Sequence, residues 1–287
     1  MPTNGQNQVF KLHETAESTY GETIGTPTWA VFGIVEEGEV GSATELKRIY
    51  GIGSGSAQGQ YPGLVNNTVR VVAAAPTAAQ INKAITRTAG SLGSFNFIAG
   101  LGTAAWRGTG LKWNTVTFDL PEEDPLKVTF DGIFKHLLAS TVSSTGHSPS
   151  SPVIWRRDGL VLKIDDVEDT DLVSATINLR NNLQPKGVDN STADQARVLK
   201  YLAEGPLEID ATIQTYAAPS FNLQADTHGC SGITLVATYT DVCGGGTPST
   251  LVITLTGGVY VEKRQPLRPN DYIDYSIGMA FTGITVA

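Results

Sequence analysis

The side chains able to do chemistry are few and scattered through the 287 residues. The histidines, His13, His136, His147 and His228, never fall at the i, i+4 spacing that sets two zinc ligands on one helical face. His228-Gly229-Cys230 with the distant Cys243 offers three soft metal ligands, but no fourth is evident. The two cysteines bracket the strand-like stretch Ile233–Tyr239. If that stretch is one extended strand, roughly 40 Å separates the sulfurs, whereas a disulfide tolerates only about 7 Å between Cα atoms. A bridge therefore requires the chain to double back, and pairing and metal binding both stay open at this point.

Gly100-Leu101-Gly102-Thr103-Ala104-Ala105 has the letters of a dinucleotide loop. Such a loop works by aiming the free amides of a helix start at a pyrophosphate. Here Trp106-Arg107-Gly108-Thr109-Gly110 follows, which is no helix start, so a glycine-rich turn is the better reading. Gly53-Ser54-Gly55-Ser56 lacks the strand–turn–helix setting of a nucleophile elbow. The run Asp165, Asp166, Glu168, Asp169, Asp171 resembles a calcium loop in charge only, without the mid-loop glycine or the closing bidentate Glu. It reads as an exposed turn, as do Glu122, Glu123 and Asp124 before Pro125. Glycosylation sequons at Asn66 and Asn190 mean nothing without secretion. Catalytic chemistry is nowhere assembled and no cofactor is implied. The expectation is assembly or binding, not catalysis.

Composition agrees with that expectation. At 40% hydrophobic and 17% charged the chain can fill a sizeable core and is neither disordered nor membrane-like. A net charge of −8 argues against a surface that grips nucleic acid by neutralising phosphates. It remains compatible with a surface that DNA slides past. The start, 1–8, lacks the apolar core of a signal peptide, and the longest apolar run, Trp29–Val35, is far short of the ~20 residues of a membrane span. The protein is therefore expected to be made in the cytoplasm and to stay soluble until it assembles.

Thirty-one glycines and fourteen prolines among many Thr, Ser and Val predict numerous short strands joined by turns. The organisation expected is an N-terminal arm over 1–28, then one antiparallel β-sandwich or barrel over 29–287, with one or two flanking helices and a loop-rich insertion around 94–152. Strands are predicted at Val9–His13, Trp29–Val35, Val69–Ala74, Phe95–Ile98, Gly110–Phe118, Lys127–Phe130 and Leu160–Ile164. A return strand with Val173, Ala175, Ile177 and Leu179 on one face follows the acidic turn. Leu207–Thr215, Ile233–Tyr239, Leu251–Leu255 and Ile273–Phe281 complete the set, with Gly257-Gly258 as a two-residue hairpin turn into Val259–Lys263. Thr77 and Gln80 make a capping box for a helix with the stripe Ile81, Ala84, Ile85. A second helix is predicted from caps Ser191 and Asp194 through Val198, Leu199 and Leu202, and a short helical stretch at Thr44–Tyr50. Gly51–Gly63 reads as a Gly/Ser/Gln-rich loop, mobile or ordered by a partner.

Several ordered stretches resemble the tail tube proteins of long-tailed bacterial and archaeal viruses. Glu14-Thr-Ala-Glu17-Ser-Thr-Tyr20-Gly21-Glu22-Thr23 is similar to that family's E-x-x-Y-G-T opening. Thr176-Ile-Asn-Leu-Arg-Asn181-Asn182-Leu-Gln-Pro185 is similar to its strand ending in an Asn-Asn/Pro turn, and Arg268-Pro-Asn270-Asp271 to its closing polar turn. The resemblance implies a structural virion protein: hexameric rings whose inner strands join into one barrel, stacked into a tube that conducts the genome into the host. It implies as partners the chain itself, tape measure and tail terminator proteins, and DNA in non-sticking passage. It also implies a place in the virion tail after assembly in the host cytoplasm. Glu208 and Asp210 become candidates for the lumen, and Tyr20, Gly21, Gly53, Gly55 and Gln58 for contacts between rings. The competing reading is a decoration or adhesin module binding carbohydrate or protein through Trp106, Trp113 and Tyr61.

Overall fold

Two strands that each serve two sheets organise this chain. The computed structural model describes residues 8–25, 28–50, 57–74, 76–101, 104–140, 153–189, 198–216, 232–241, 249–264 and 275–287. Among them lie twenty strands and one α-helix. The main sheet runs from β3 (Val35–Tyr50) through β4 (Ala57–Ala73), β9 (Lys127–Phe134) and β8 (Ala104–Leu120) to β13 (Leu172–Arg180). It continues through β16 (Glu208–Thr215) and β19 (Tyr275–Phe281) to the second half of β18 (Thr250–Arg264). All these pairings are antiparallel.

The first half of β8 leaves that sheet. It pairs with β7 (Phe95–Leu101) and β10 (His136–Ser140), and β7 carries β1 (Gln8–His13) and then β2 (Trp29–Val31). The first half of β18 likewise pairs with β17 (Ile233–Thr240) and β20 (Gly283–Val286). Strand β17 carries β11 (Leu160–Ile164), which turns into β12 (Val167–Glu168). The result is one sixteen-stranded hydrogen-bonded network folded into a sandwich. Two small ribbons stand apart, β5 (Arg87–Thr88) with β6 (Ser91–Leu92) and β14 (Gln184–Asp189) with β15 (Val198–Ala203).

Glycine makes both corners. In β8 the backbone turns at Gly110, at φ +73°, next to Gly108, where any Cβ would overlap the Phe97 ring. In β18 it turns at Gly257, at φ +65°, and at Gly258, where a Cβ would overlap the Phe281 ring. A glycine inside a strand marks such a bend because it alone tolerates the left-handed backbone and the close approach. Gly257-Gly258 is therefore a corner within one strand and not the predicted hairpin: Thr256 pairs with β20 while Val259 pairs with β19.

The core lies between the layers. Phe10, Phe32, Phe97, Trp113, Phe130 and Phe134 form a connected ring cluster, with centroids 4.7–6.2 Å apart. Helix α1 (Ala78–Ile85) closes one side with Ile81, Ala84 and Ile85 buried. Its start is capped by the Thr77 hydroxyl, which accepts from the Gln80 amide, one half of the predicted capping box. Lys83 Nζ donates to the His13 carbonyl and Asn82 Nδ2 to the Val286 carbonyl, tying the helix to both ends of the chain.

Several sequence expectations change. Thr44–Tyr50 and Ala57–Gly63 are strand, since β3 and β4 pair from Val35↔Ala73 to Tyr50↔Ala57 and so satisfy each other's backbone; 51–56 lies outside the described residues. Val198–Ala203 is strand β15, held by pairing with β14, because cross-strand hydrogen bonds override a helical spacing of apolar residues. The predicted caps Ser191 and Asp194 lie outside the described residues. Trp29–Val35 breaks at Gly33, at φ +98°, into β2 and the start of β3. The return strand β13 does not pair with β11; it crosses to the main sheet between β8 and β16. Within 94–152, Phe95–Leu101, Ala104–Leu120, Lys127–Phe134 and His136–Ser140 are strands at the centre of the fold.

Gly258→Ala places a methyl against Phe281 and the Ile233 carbonyl. It should destabilise the chain by about 2 kcal/mol. Urea unfolding of dilute protein, followed by tryptophan fluorescence, measures the change.

Candidate channel and assembly surfaces

One face of the main sheet packs on the core and the other meets solvent. Along β16, Ile209, Ala211, Ile213 and Thr215 are buried while Glu208, Asp210, Thr212 and Gln214 turn outward. The outward row continues across neighbouring strands through register. Asp210 stands opposite Asn178, which stands opposite Thr117, which stands opposite Thr129. The next row runs Thr212, Thr176, Asp119 and Lys127. Towards the other end Glu208 faces Arg180, which faces Thr115, and Asp131 lies between Thr115 and Arg70, with Glu39 beyond.

Threonine hydroxyls hold two of these carboxylates, and one amide oxygen, in place. Thr115 Oγ1 donates to Asp131 at 3.0 Å, Thr176 Oγ1 to Asp119 at 3.2 Å, and Thr117 Oγ1 to Asn178 Oδ1 at 2.9 Å. Arg180 Nη1 lies 3.6 Å from Asp210, both side chains half exposed, a pair worth little in water. Carboxylates of Glu37, Glu39, Asp119, Asp131, Glu208, Asp210 and Glu262 outnumber the cations of Arg70, Lys127, Arg180 and Arg264 on this face. The lumen candidates Glu208 and Asp210 thus sit within a larger acidic, hydroxyl-rich surface. Sequence reasoning missed Asp119 and Asp131, although the alternation Thr115-Val116-Thr117-Phe118-Asp119 and Lys127-Val128-Thr129-Phe130-Asp131 carries the same signal.

The segment holding Tyr20 and Gly21 is a clasp within the chain. The Glu17 carboxylate accepts from the amides of Gly21 (2.8 Å) and Gly110 (2.7 Å) and from Asn96 Nδ2 (2.6 Å). Fully buried Asn96 also donates to the Glu22 carbonyl, and its Oδ1 accepts from Arg107 Nε and Nη2. Burial pushes the Glu17 carboxyl above its usual range, against the amide hydrogen bonds and with the Glu22 charge adding to the rise. Burial, with the Glu17 charge behind it, pushes the Tyr20 hydroxyl far up as well. Lys112 Nζ and Lys135 Nζ lie 5.7 and 5.9 Å from the centroid of the Tyr20 ring. Gly21 is at φ +78°, and any Cβ there would strike the Lys135 side chain. His13 is a structural pin: its Nε2 accepts from the Thr28 amide at 3.1 Å, and its Nδ1 lies 2.8 Å from the carbonyl and 3.1 Å from the amide of Thr15.

The Asn181-Asn182 turn is a second internal bracket. Buried Asn181 donates from Nδ2 to the carbonyls of Ala84 and Trp113, and Arg87 Nη2 donates to its Oδ1. Asn182, at φ +51°, reaches the Pro206 carbonyl. Nearby, Lys112 Nζ meets Glu204 Oε1 at 2.5 Å, and Glu204 also accepts from Ser91 Oγ and the Leu92 amide. Burial works to raise the Glu204 carboxyl, but these donors and the Lys112 charge outweigh it and hold the group below its usual range. This pair ties the β14–β15 ribbon to the body over a small apolar cluster of Leu92, Leu183, Leu199 and Leu202, flanked by Tyr20, Leu64 and Ile133.

Of the remaining candidates, Gln58 lies in β4, near the far end of the β3–β4 hairpin, while Gly53 and Gly55 fall outside the described residues. Strand β9 covers β4 only from Asn67 to Ala73, so the hairpin beyond Asn66 is a two-stranded ribbon in the pairing pattern. Cys230, Cys243, His147 and His228 also fall outside the described residues. In the acidic turn, Asp165 and Asp166 take positive φ, Asp165 accepts from the Thr234 amide, and Asp169 accepts from Thr215. Trp113 is 1% exposed and belongs to the core, whereas Trp106 is 48% exposed.

Residues 11–281 match the phage tail tube protein family, and the chain belongs to that family. No curated protein matches the chain.

A carboxyl whose folded pKa is depressed contributes stability above its ordinary value of 4.5 and loses it as pH falls through the lower folded value. Glu204→Gln should therefore be less stable than the parent at neutral pH. The gap should close as pH drops below about 4.5. Thermal melts at several pH values measure the gap.

Proposed function

We propose that this chain is the repeating subunit of a tail tube, a structural virion protein that closes six-membered rings and stacks them into a conduit for the viral genome. The family membership supports a tail tube component. The observation that carries the finer reading is the acidic, hydroxyl-rich face of the main sheet, with Glu208 and Asp210 among its carboxylates. Turned towards a channel, that face repels phosphate and offers no cluster of cations for DNA to grip. Passage is then smooth because nothing holds the strand. Hydrogen bonds from Thr115 and Thr176 keep Asp131 and Asp119 from swinging into the path.

Stacking falls to the ribbon end of the β3–β4 hairpin, the region of Gly53, Gly55 and Gln58. A two-stranded ribbon is at best marginally stable in water, and a neighbouring ring would cover it. Tyr20 and Gly21 contribute by fixing where the N-terminal segment leaves the body. Tape measure and tail terminator proteins would meet the lumen and the end of the tube, and assembly would take place in the host cytoplasm. No metal or cofactor has a part in this reading.

Electron microscopy of purified protein tests the proposal, which requires rings or tubes; a strict monomer at high concentration overturns it. In tubes carrying Glu208→Lys with Asp210→Lys, genome ejection should slow about tenfold at low salt and recover as salt screens the added cations. Ejection at the unmodified rate would remove these residues from the lumen. Replacing 47–61 by an Asn-Gly turn joins the paired residues Leu46 and Pro62. Single rings should then form without stacking, and normal tubes would show that the hairpin has no part in it.

A further inference from the structure

We infer that the N-terminal segment 14–25, the β14–β15 ribbon and the root of the β3–β4 hairpin form one latch, which opens and closes as a unit apart from the main sandwich. The latch is a property of the single chain and does not depend on the tube-subunit reading. Four buried leucines make its centre: Leu92 of β6, Leu183 at the entry to β14, and Leu199 and Leu202 of β15. Tyr20 packs on them from the N-terminal segment, Leu64 from β4 and Ile133 from β9. None of these side chains belongs to the main core.

Polar contacts join the same three pieces around the cluster. Among the described residues β14 and β15 pair only with each other, and a lone two-stranded ribbon is marginal in water. At the base of the ribbon Arg87 Nη1 donates to the Gly205 carbonyl. Just inside it, the Glu204 carboxylate accepts from Lys112 Nζ of β8, Ser91 Oγ and the Leu92 amide. The same Lys112 Nζ lies against the Tyr20 ring. The segment that carries Tyr20 is held in turn by Glu17 on the Gly110 amide and by Thr109 Oγ1 on the Gly21 carbonyl. At the hairpin root Asn67 Nδ2 donates to the carbonyl of Lys135, whose Nζ also lies against the Tyr20 ring.

In so small a cluster each apolar side chain is covered by the others. Lifting the ribbon would bare Leu92 and Tyr20. It would also part Lys112 from Glu204, each with a side chain only 11% exposed, and a charge left buried without its partner is costly. Lifting Tyr20 would open the same leucines from the other side. Local openings of this kind run in contiguous cooperative units, well below the free energy of global unfolding. A partner that grips the hairpin root therefore biases the N-terminal segment too, and the influence runs equally in reverse.

Amide hydrogen exchange of the dilute full chain tests this, in Leu202→Ala on the ribbon and Tyr20→Ala on the opposite side. Each variant should speed exchange over 14–25, 64–67 and 198–203 by a common factor of about tenfold or more, while α1 and β16 keep wild-type rates. Glu204→Gln, which keeps an acceptor for Ser91 and the Leu92 amide, should give the same pattern at smaller size. It decides the matter if an alanine variant does not fold. Faster exchange confined to the mutated segment means three separate pieces. Exchange that rises equally in α1 and β16 means general loosening of the sandwich. Either result overturns the latch and leaves the tube-subunit reading untouched.

Discussion

Where two sheets of a sandwich join, every backbone amide and carbonyl on the way still needs a partner. This chain meets the requirement by never ending the strand. Strands β8 and β18 each cross from one layer to the other and keep a partner on both sides of the bend. The rest follows from that. The aromatic cluster fills the space the bends enclose, α1 closes the open side, and the main sheet is left with one dry face and one wet one. Replace the corner glycines by bulkier residues and neither layer keeps its distance from the other.

The motifs that suggest the family are not the surfaces that would do its work. Glu17, Tyr20 and Gly21 engage Asn96, Gly110 and Lys135 of the same chain. Asn181 and Asn182 bracket α1, β8 and the approach to β16. Both are places where short segments without regular structure must satisfy buried polar groups, and few residue types can do so. A surface that slides tolerates more variety, since a carboxylate row depends on summed charge.

Legibility followed the same division. The strands with one buried face were readable because alternation is local: β13, β16 and β17 stand where the pattern puts them. The cap of α1 was readable because Thr77 and Gln80 are neighbours. The far part of β3 and all of β15 were not, because only their partners β4 and β14 decide between strand and the helical spacing of Leu199 and Leu202. Gly257-Gly258 reads equally well as a turn or a corner; the choice depends on β19 and β20, which arrive later in the chain. Glu208 and Asp210 were legible as outward residues of β16, while Asp119 and Asp131 lay hidden in a region read as loop-rich.

The bent strands have one more effect. In a flat sheet, inserting a single residue exchanges the buried and exposed faces of everything beyond it. At Gly108–Gly110 and Gly257–Gly258 the backbone already leaves its pleat, so the register of one layer is uncoupled from that of the other. The corners act as expansion joints. One layer can drift in length and in the shape of its loops while the alternation of the other stays in phase.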